Sequence, residues 1–176
     1  MTPLLRAVIQ PMVLEGGSYA GIGSRATPDD VCCVFTRCAQ FLSKQGMVLR
    51  SGGADGADTA FERGAVQKEI FLPGKMFNRN ESPLFPPSKA AFDMAAEIHP
   101  AWNRCSPWAR LLHARNCHQI LGQNLDDPVR FVVFWATLDS SGTPRGGTRT
   151  AVVLALSKGV PCVTGDPTRG WGILTS

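Results

Sequence analysis

The sequence predicts an α/β fold in which one Rossmann-like parallel sheet carries helices on both faces. Short β-type runs alternate with helical ones along most of the chain, an order typical of parallel α/β domains. The run Arg130–Trp135 is almost entirely apolar, as expected of a strand buried on both faces. Glycine-rich segments follow three predicted strands, at the edge where such sheets bind ligands.

Length and composition favour a single domain. The 176 residues are 44% hydrophobic and 18% charged, values of a globular rather than a disordered chain. We expect one domain over residues 18–176, preceded by an N-terminal arm or edge strand over residues 1–17. No apolar run approaches the roughly 20 residues of a membrane-spanning helix, and no clear signal peptide is present. We therefore expect a cytoplasmic protein with no membrane partner.

Helix boundaries are marked by their capping residues. Thr27 is the predicted N-cap of the first helix, with Pro28 at its first position, acids in the first turn and Gly46 at its end. Ser106-Pro107 opens a later helix that Gly122 ends. The remaining predicted elements are strands at 18–22, 47–50, 69–72, 130–135 and 160–164, a helix that reaches about residue 66, and a helix at 149–157. Residues 75–87 are predicted to be irregular.

Three loops after strands have the composition of a phosphate site. Glycine lets backbone N–H groups approach an anion, and a helix N-terminus favours negative charge. One such loop is weak evidence, because tight turns also use glycine for steric reasons, but three at one sheet edge predict an anion or nucleotide site. The predicted ligand-binding residues of these loops are Gly23, Ser24 and Arg25; Ser51, Gly52, Gly53, Asp55 and Asp58; and Arg145, Gly146, Gly147, Thr148, Arg149 and Thr150.

The loops match neither of two common nucleotide-binding patterns. No GxxxxGK[ST] sequence occurs, and neither of the first two loops gives GxGxxG followed by an acid about 20 residues on. A dinucleotide-dependent dehydrogenase is therefore disfavoured.

Polar side chains near the loops allow alternative roles. Arg115 and Asn116 lie near the stripe of their helix that should be apolar, so they either cap a strand end or line a ligand cleft. Asp55, Asp58 and Glu62 are spaced by three and four residues. Acids there stabilise the helix dipole, but they could also hold ribose hydroxyls or act as a general acid or base. These three are the weak catalytic candidates.

Basic residues are dominated by arginine, with 13 Arg against five Lys. Arginine holds phosphate bidentately, so the excess indicates either anion recognition or codon bias. Arg25, Arg115, Arg145 and Arg149 lie on or beside the predicted site, which favours recognition for those four. A net charge of +4 fits a few arginines in one pocket better than an extended basic surface that binds long polyanions.

Metal binding is not expected from the sequence. The six cysteines form no CxxC pair, and His113 and His118 lack a third ligand at metal spacing. We therefore predict reduced, mostly structural thiols, no metal site and no cofactor.

Taken in order, these motifs resemble the SLOG superfamily of Rossmann-like domains, and within it the DprA/Smf branch, especially small stand-alone members found in bacteriophage genomes. The resemblance runs from about Ser18 to Thr164. It is carried by Gly21-Ile22-Gly23-Ser24-Arg25, Ser51-Gly52-Gly53-Ala54-Asp55-Gly56-Ala57-Asp58 with Phe61 and Gly64-Ala65, Arg115-Asn116 with Ile120, and Gly146-Gly147-Thr148-Arg149-Thr150-Ala151.

The resemblance implies a nucleotide-type ligand and several alternative activities. Members of the DprA branch bind single-stranded DNA in a basic pocket and dimerise. Other branches are phosphoribohydrolases, molybdenum-cofactor carriers, or sensors of NAD-derived signals in antiphage defence. The phosphoribohydrolase motif PGGxGTxxE is not matched here, because Arg149 replaces a glycine and Val153 replaces the catalytic Glu.

Our leading hypothesis is a protein that binds a phosphorylated nucleotide or nucleotide-derived signal, of the ADP-ribose or cyclic-nucleotide type. Sequestering a defence signal is the purpose that the family context suggests, and we expect a homodimer or higher homo-oligomer. The first alternative is a DprA-like module that binds single-stranded DNA. The second is a nucleotide N-glycosidase that uses Asp55, Asp58 or Glu62, although we favour binding without catalysis.

Overall fold

The sheet of the protein follows the Rossmann strand order. The structure is a computed structural model that describes residues 1–140, 142–166 and 170–175. Within these residues the sheet order is β3-β2-β1-β4-β5-β6. The strands are β1 Ser18–Gly23, β2 Val48–Ser51, β3 Lys68–Ile70, β4 Val132–Trp135, β5 Cys162–Asp166 and β6 Gly170–Leu174. The first five pair in parallel, and β6 pairs antiparallel with β5. The predicted single-domain, Rossmann-like α/β fold is confirmed; β6 was not predicted.

Helices cover both faces of the sheet. They are α1 Pro3–Ile9, α2 Asp29–Lys44, α3 Ala57–Gly64, α4 Lys89–Ile98, α5 Pro107–Leu121 and α6 Thr148–Ser157. On one face α1, α2 and α3 enclose an aromatic core in which Phe35 stacks on Phe61 with ring centroids 4.3 Å apart. On the other face α4, α5 and α6 pack over a core of mostly smaller residues, such as Ile120 and Val132, around the buried ring of Phe134. The two cores hold the sheet rigidly between them.

The N-terminal segment is helical, so of the two alternatives for residues 1–17, an arm or an edge strand, the edge strand is not formed. Helix α1 buries Leu5 and Ile9 in the aromatic core and packs against β6. The edge position beside β5 is taken by β6 instead. Spacing explains the difference, because Leu5 and Ile9 are four residues apart and so share one face of a helix.

Capping was predicted correctly for α5 and wrongly for α2. The Ser106 hydroxyl accepts a hydrogen bond from Ala109 N–H, and Gly122 ends α5 with φ 75°. At α2 the cap residue is Pro28, and the Thr27 hydroxyl donates to the Ser24 carbonyl at 2.6 Å instead of capping. Thr27 therefore closes the loop that follows β1. No helix in the described part of the chain is long and apolar enough to cross a membrane.

Candidate functional site

A cleft of about 510 Å³ lies where the strand order reverses, at the carboxyl ends of β1 and β4. This is the position at which open α/β sheets bind their ligands. Nine of the predicted ligand-binding residues line it: Gly23, Ser24, Arg25, Asp58, Arg115, Arg145, Gly146, Gly147 and Thr148. The three predicted segments and helix α5 therefore meet at one place, because parallel strands deliver their following loops to the same edge.

The loop after β1 forms one wall of the cleft, and it packs closely against the end of β4. The Ser24 N–H donates to the Trp135 carbonyl at 2.9 Å, which ties this loop to the end of β4. A Cβ on Gly23 would stand 2.6 Å from the same carbonyl oxygen, so the close approach of the strands requires glycine. Arg25 is exposed beyond this turn and lines the cleft.

The loop after β2 supports the cleft from behind more than it lines it. The buried Ser51 hydroxyl donates to the Gly21 carbonyl at 2.7 Å. Gly52 lies directly under the Arg115 guanidinium, where a Cβ would overlap Nη1. The Gly53 carbonyl accepts a hydrogen bond from the Asn78 side chain at 3.0 Å. These three predicted ligand-binding residues are buried and lie outside the cleft lining.

A buried ion pair forms the floor of the cleft. Asp58 Oδ2 lies 3.4 Å from Arg115 Nη1, and both side chains are almost fully buried. Burial raises the pKa of the Asp58 carboxyl, while Arg115 and the backbone amides of Ala54 and Gly23 oppose that rise. Burial likewise lowers the pKa of Arg115, and Asp58 opposes it. Arg115 Nε has no hydrogen-bond partner among the described residues, so this guanidinium keeps donor capacity.

The three carboxylates considered as catalytic candidates are not equivalent. Asp58 lines the cleft. Asp55 is exposed to solvent. The Glu62 carboxylate accepts a hydrogen bond from Asn80 at 3.0 Å, and burial raises its pKa. Asp58 is thus the acid that the fold brings to the cleft.

The loop before α6 forms the opposite wall. Arg145, Gly146 and Gly147 are exposed, and α6 begins directly after them, so its first N–H groups face the same region. Asn116 Nδ2 donates to the Gly147 carbonyl at 2.8 Å. Asn116 therefore positions the glycine-rich loop, an alternative to the two roles considered from the sequence.

The last two predicted residues of this segment face neighbouring side chains. Thr150 Oγ1 lies 2.9 Å from His113 Nδ1 on α5. Arg149 Nη1 lies 3.9 Å from Asp139 Oδ2, on the segment that follows β4. Ser141, which precedes this segment in the sequence, lies outside the described residues.

Two aromatic residues that the sequence analysis did not select also line the cleft. Trp108, in the first turn of α5, is 49% exposed. Its ring centroid lies 6.0 Å from that of Phe77. The fold therefore places aromatic side chains beside the basic loops. An exposed Trp directly after the Ser106-Pro107 helix start was the available sequence signal; Phe77 lies in the stretch predicted to be irregular and gave none.

Another arginine is structural. The buried Arg50 guanidinium contacts the Glu69 carboxylate at 2.6 Å and donates to the Asp127 carbonyl at 2.6 Å. These contacts tie β2 and β3 to the segment after α5. The arginine excess therefore serves the fold at this position and the cleft at Arg25, Arg115 and Arg145.

No protein-family model matches the chain, and no curated protein matches its sequence. The fold is similar to that of DNA processing protein A (DprA) from Helicobacter pylori, whose structure was described for its single-stranded DNA binding mode. The TM-score is 0.56 at 16% sequence identity, and the match covers 91% of this chain and 71% of that one. The chain thus has a DprA-like fold.

Proposed function

We propose that the cleft binds a phosphorylated nucleotide, with its phosphate on the basic and glycine-rich walls and its base on the aromatic pair. The observation that carries this proposal is that exposed Trp108 lines the same cleft as exposed Arg25 and Arg145. A flat apolar surface beside anion-binding groups matches the two chemically distinct parts of a nucleotide.

The phosphate subsite is argued from charge and backbone. Arg25 and Arg145 lie on opposite walls, and the Gly146-Gly147 turn with the start of α6 supplies backbone N–H groups. A Cβ at Gly147 would meet nothing within 4 Å, so the space above the turn is open to a ligand. Guanidinium groups and helix N-termini both favour phosphate.

The base subsite is argued from Trp108 and Phe77. Aromatic stacking contributes about 1–3 kcal/mol per base and tolerates different bases. A cleft of about 510 Å³ lies within the size range of small-molecule sites. A nucleotide-derived signal of the ADP-ribose or cyclic-nucleotide type fits this description, and its sequestration remains our hypothesis for the biological purpose.

Single-stranded DNA is the second candidate ligand, and one observation favours it specifically. The structure of the similar protein, DprA, was described for its single-stranded DNA binding mode. A strand presents the same phosphate and base groups, so the cleft could hold one nucleotide of a longer chain. The homodimer expected from the resemblance stays a prediction for either ligand.

Titration calorimetry tests both candidates on the same preparation. We expect saturable heat with ADP-ribose or a cyclic nucleotide, and quenching of Trp108 fluorescence. Binding of oligothymidylate with no heat from the small nucleotides would overturn the first proposal in favour of the second. No binding of either class at low salt would overturn both. Chromatography of the recovered nucleotides tests the N-glycosidase alternative, because intact nucleotide argues for binding alone.

A further inference from the structure

Three side chains of types that can ligate metals converge beside the cleft, and one of them, His113, lines it. His99 follows α4, Cys105 lies just before α5, and His113 is on α5. One ligand atom from each residue lies within 4.8 Å of the others, and the group is half-buried. We propose that His99, Cys105 and His113 form a binding site for a divalent transition metal ion, with Zn²⁺ as the favoured ion.

The distances are close to those of a tetrahedral site. Zn–S near 2.3 Å and Zn–N near 2.0 Å place the ligand atoms about 3.5 Å apart. Cys105 Sγ lies 3.7 Å from His99 Nδ1 and 3.9 Å from His99 Nε2. The ligand atoms all lie within 4.8 Å of one another, so their separations exceed the ideal by about 1.3 Å at most. Rotation of the Cys105 and His99 side chains can close a gap of that size.

His113 is already oriented as a metal ligand. Its Nδ1 lies 2.9 Å from Thr150 Oγ1. A hydrogen bond donated from Nδ1 leaves the Nε2 lone pair free, which is how metal-binding histidines are usually held. The ring also packs against His99, with centroids 4.3 Å apart. The Thr150 contact thus holds the direction of this imidazole and suits the tautomer that keeps Nε2 free.

The turn that carries the other two ligands is formed by the backbone. Cys105 N–H donates to the Trp102 carbonyl and Arg104 N–H to the Ala101 carbonyl, both at 3.0 Å. These bonds do not depend on a metal. His99 Nδ1 accepts a long, 3.2 Å hydrogen bond from Ala101 N–H, and ligation by Nδ1 would replace that bond.

The ligand set indicates the ion. Two imidazoles and a thiolate suit Zn²⁺ and exclude Mg²⁺ and Ca²⁺, which prefer oxygen. On binding, the Cys105 thiol loses its proton to solvent, and the thiolate supplies one negative charge. Three protein ligands leave a fourth position for water or another ligand. His113 also lines the cleft, so that position lies near the proposed nucleotide.

Cobalt titration of reduced, tag-free protein tests the site. We expect one equivalent of Co²⁺ to produce a sulfur-to-cobalt charge-transfer band and the visible bands of a four-coordinate ion, and one equivalent of Zn²⁺ to abolish both. C105S should lose the charge-transfer band, and H99Q should weaken cobalt affinity by at least about tenfold. Absence of the charge-transfer band in the wild-type protein would overturn the proposal.

The exposed and half-exposed cysteines on α2 supply the control. A C32S/C33S double variant removes two thiols outside the cluster and should titrate as the wild-type protein does. Loss of the band in this control, with the band retained in C105S, would overturn the assignment. Circular dichroism of each variant verifies folding, and H99Q keeps the test valid if C105S does not fold. Metal binding is measured in the absence of nucleotide, so its outcome is independent of the proposed function.

Discussion

Arg115 Nη1 lies 3.4 Å from Asp58 Oδ2 in an ion pair whose side chains are 7% and 3% exposed. The pair joins helix α5 to the start of α3 and forms the floor of the cleft. Two charges at this depth are costly to bury, and each is tolerated because the other is present.

Removing one member of this pair should therefore destabilise the protein strongly. We expect Asp58→Ala or Arg115→Ala to lower the free energy of unfolding by about 3 kcal/mol or more, because the remaining charge stays buried without its partner. Urea denaturation measures the loss. An Asp58→Ala/Arg115→Ala double variant should lose less than the sum of the two single losses, and strict additivity would contradict the coupling.

Gly52 should tolerate no side chain, because its Cβ position overlaps the Arg115 guanidinium. Gly52→Ala must displace that group from Asp58, and we expect a loss of about 1–3 kcal/mol, as for overpacked cores. Gly172→Ala in β6 is the matched control, since a Cβ there meets nothing within 4 Å. Thermal unfolding compares the two variants, and equal melting temperatures would refute the close packing.

Trp108 should contribute to nucleotide affinity more than to stability, because it is half exposed. We expect Trp108→Ala to weaken binding of the nucleotide or oligonucleotide by about 5- to 100-fold, the equivalent of one stacked base. Trp108→Phe should retain most of the affinity, since it keeps an aromatic face. Calorimetry on variants with unchanged melting temperature is the measurement. Full affinity in Trp108→Ala would contradict the proposal that Trp108 binds the base.

Arg145 should contribute to ligand affinity through its positive charge. Arg145→Ala is expected to weaken phosphate-ligand binding, and with single-stranded DNA to reduce the dependence of log affinity on log salt by about 0.7. Arg37, which is exposed on α2 and does not line the cleft, provides the control as Arg37→Ala. Affinities measured between low and moderate salt decide the matter. If both variants weaken binding equally, the attraction between the protein and its phosphate ligand depends on net charge alone.

Thiol reactivity should follow burial. Burial raises the pKa of Cys117 and Cys162 to about 12, from 9.0, whereas Cys33 is exposed. At pH 8 a thiol reagent should modify Cys33 promptly and reach the two buried thiols only on unfolding.

The same shifts give the direction of a pH effect on stability. The folded state binds these two thiol protons more tightly than the unfolded state does. Their contribution to the free energy of unfolding is therefore complete below about pH 9, and it is lost as the pH rises toward 12. The free energy of unfolding should fall over that range, and Cys117→Ala should remove its share of the slope. A stability that increased with alkaline pH would contradict this assignment.

The sequence by itself determined the α/β class, the sheet edge that carries the cleft, and most of the residues that line it. These follow from local rules: an apolar strand such as Val132–Trp135, a capped helix such as α5, and glycine where the backbone must turn. The ends of consecutive parallel strands then meet at one edge whatever the details of packing.

Only the tertiary structure decided which of these residues line the cleft. Ser51 and Gly52 are predicted phosphate ligands from composition, but packing buries Ser51 against the Gly21 carbonyl and Gly52 under Arg115. Trp108 comes from α5, Phe77 from an irregular segment, and His99 and Cys105 from the chain between α4 and α5. No periodicity links such residues, because their proximity depends on how α4 and α5 pack over the sheet. That packing is set by contacts distant in sequence, and it brings Phe77 to Trp108 on α5, and His99 and Cys105 to His113 on the same helix.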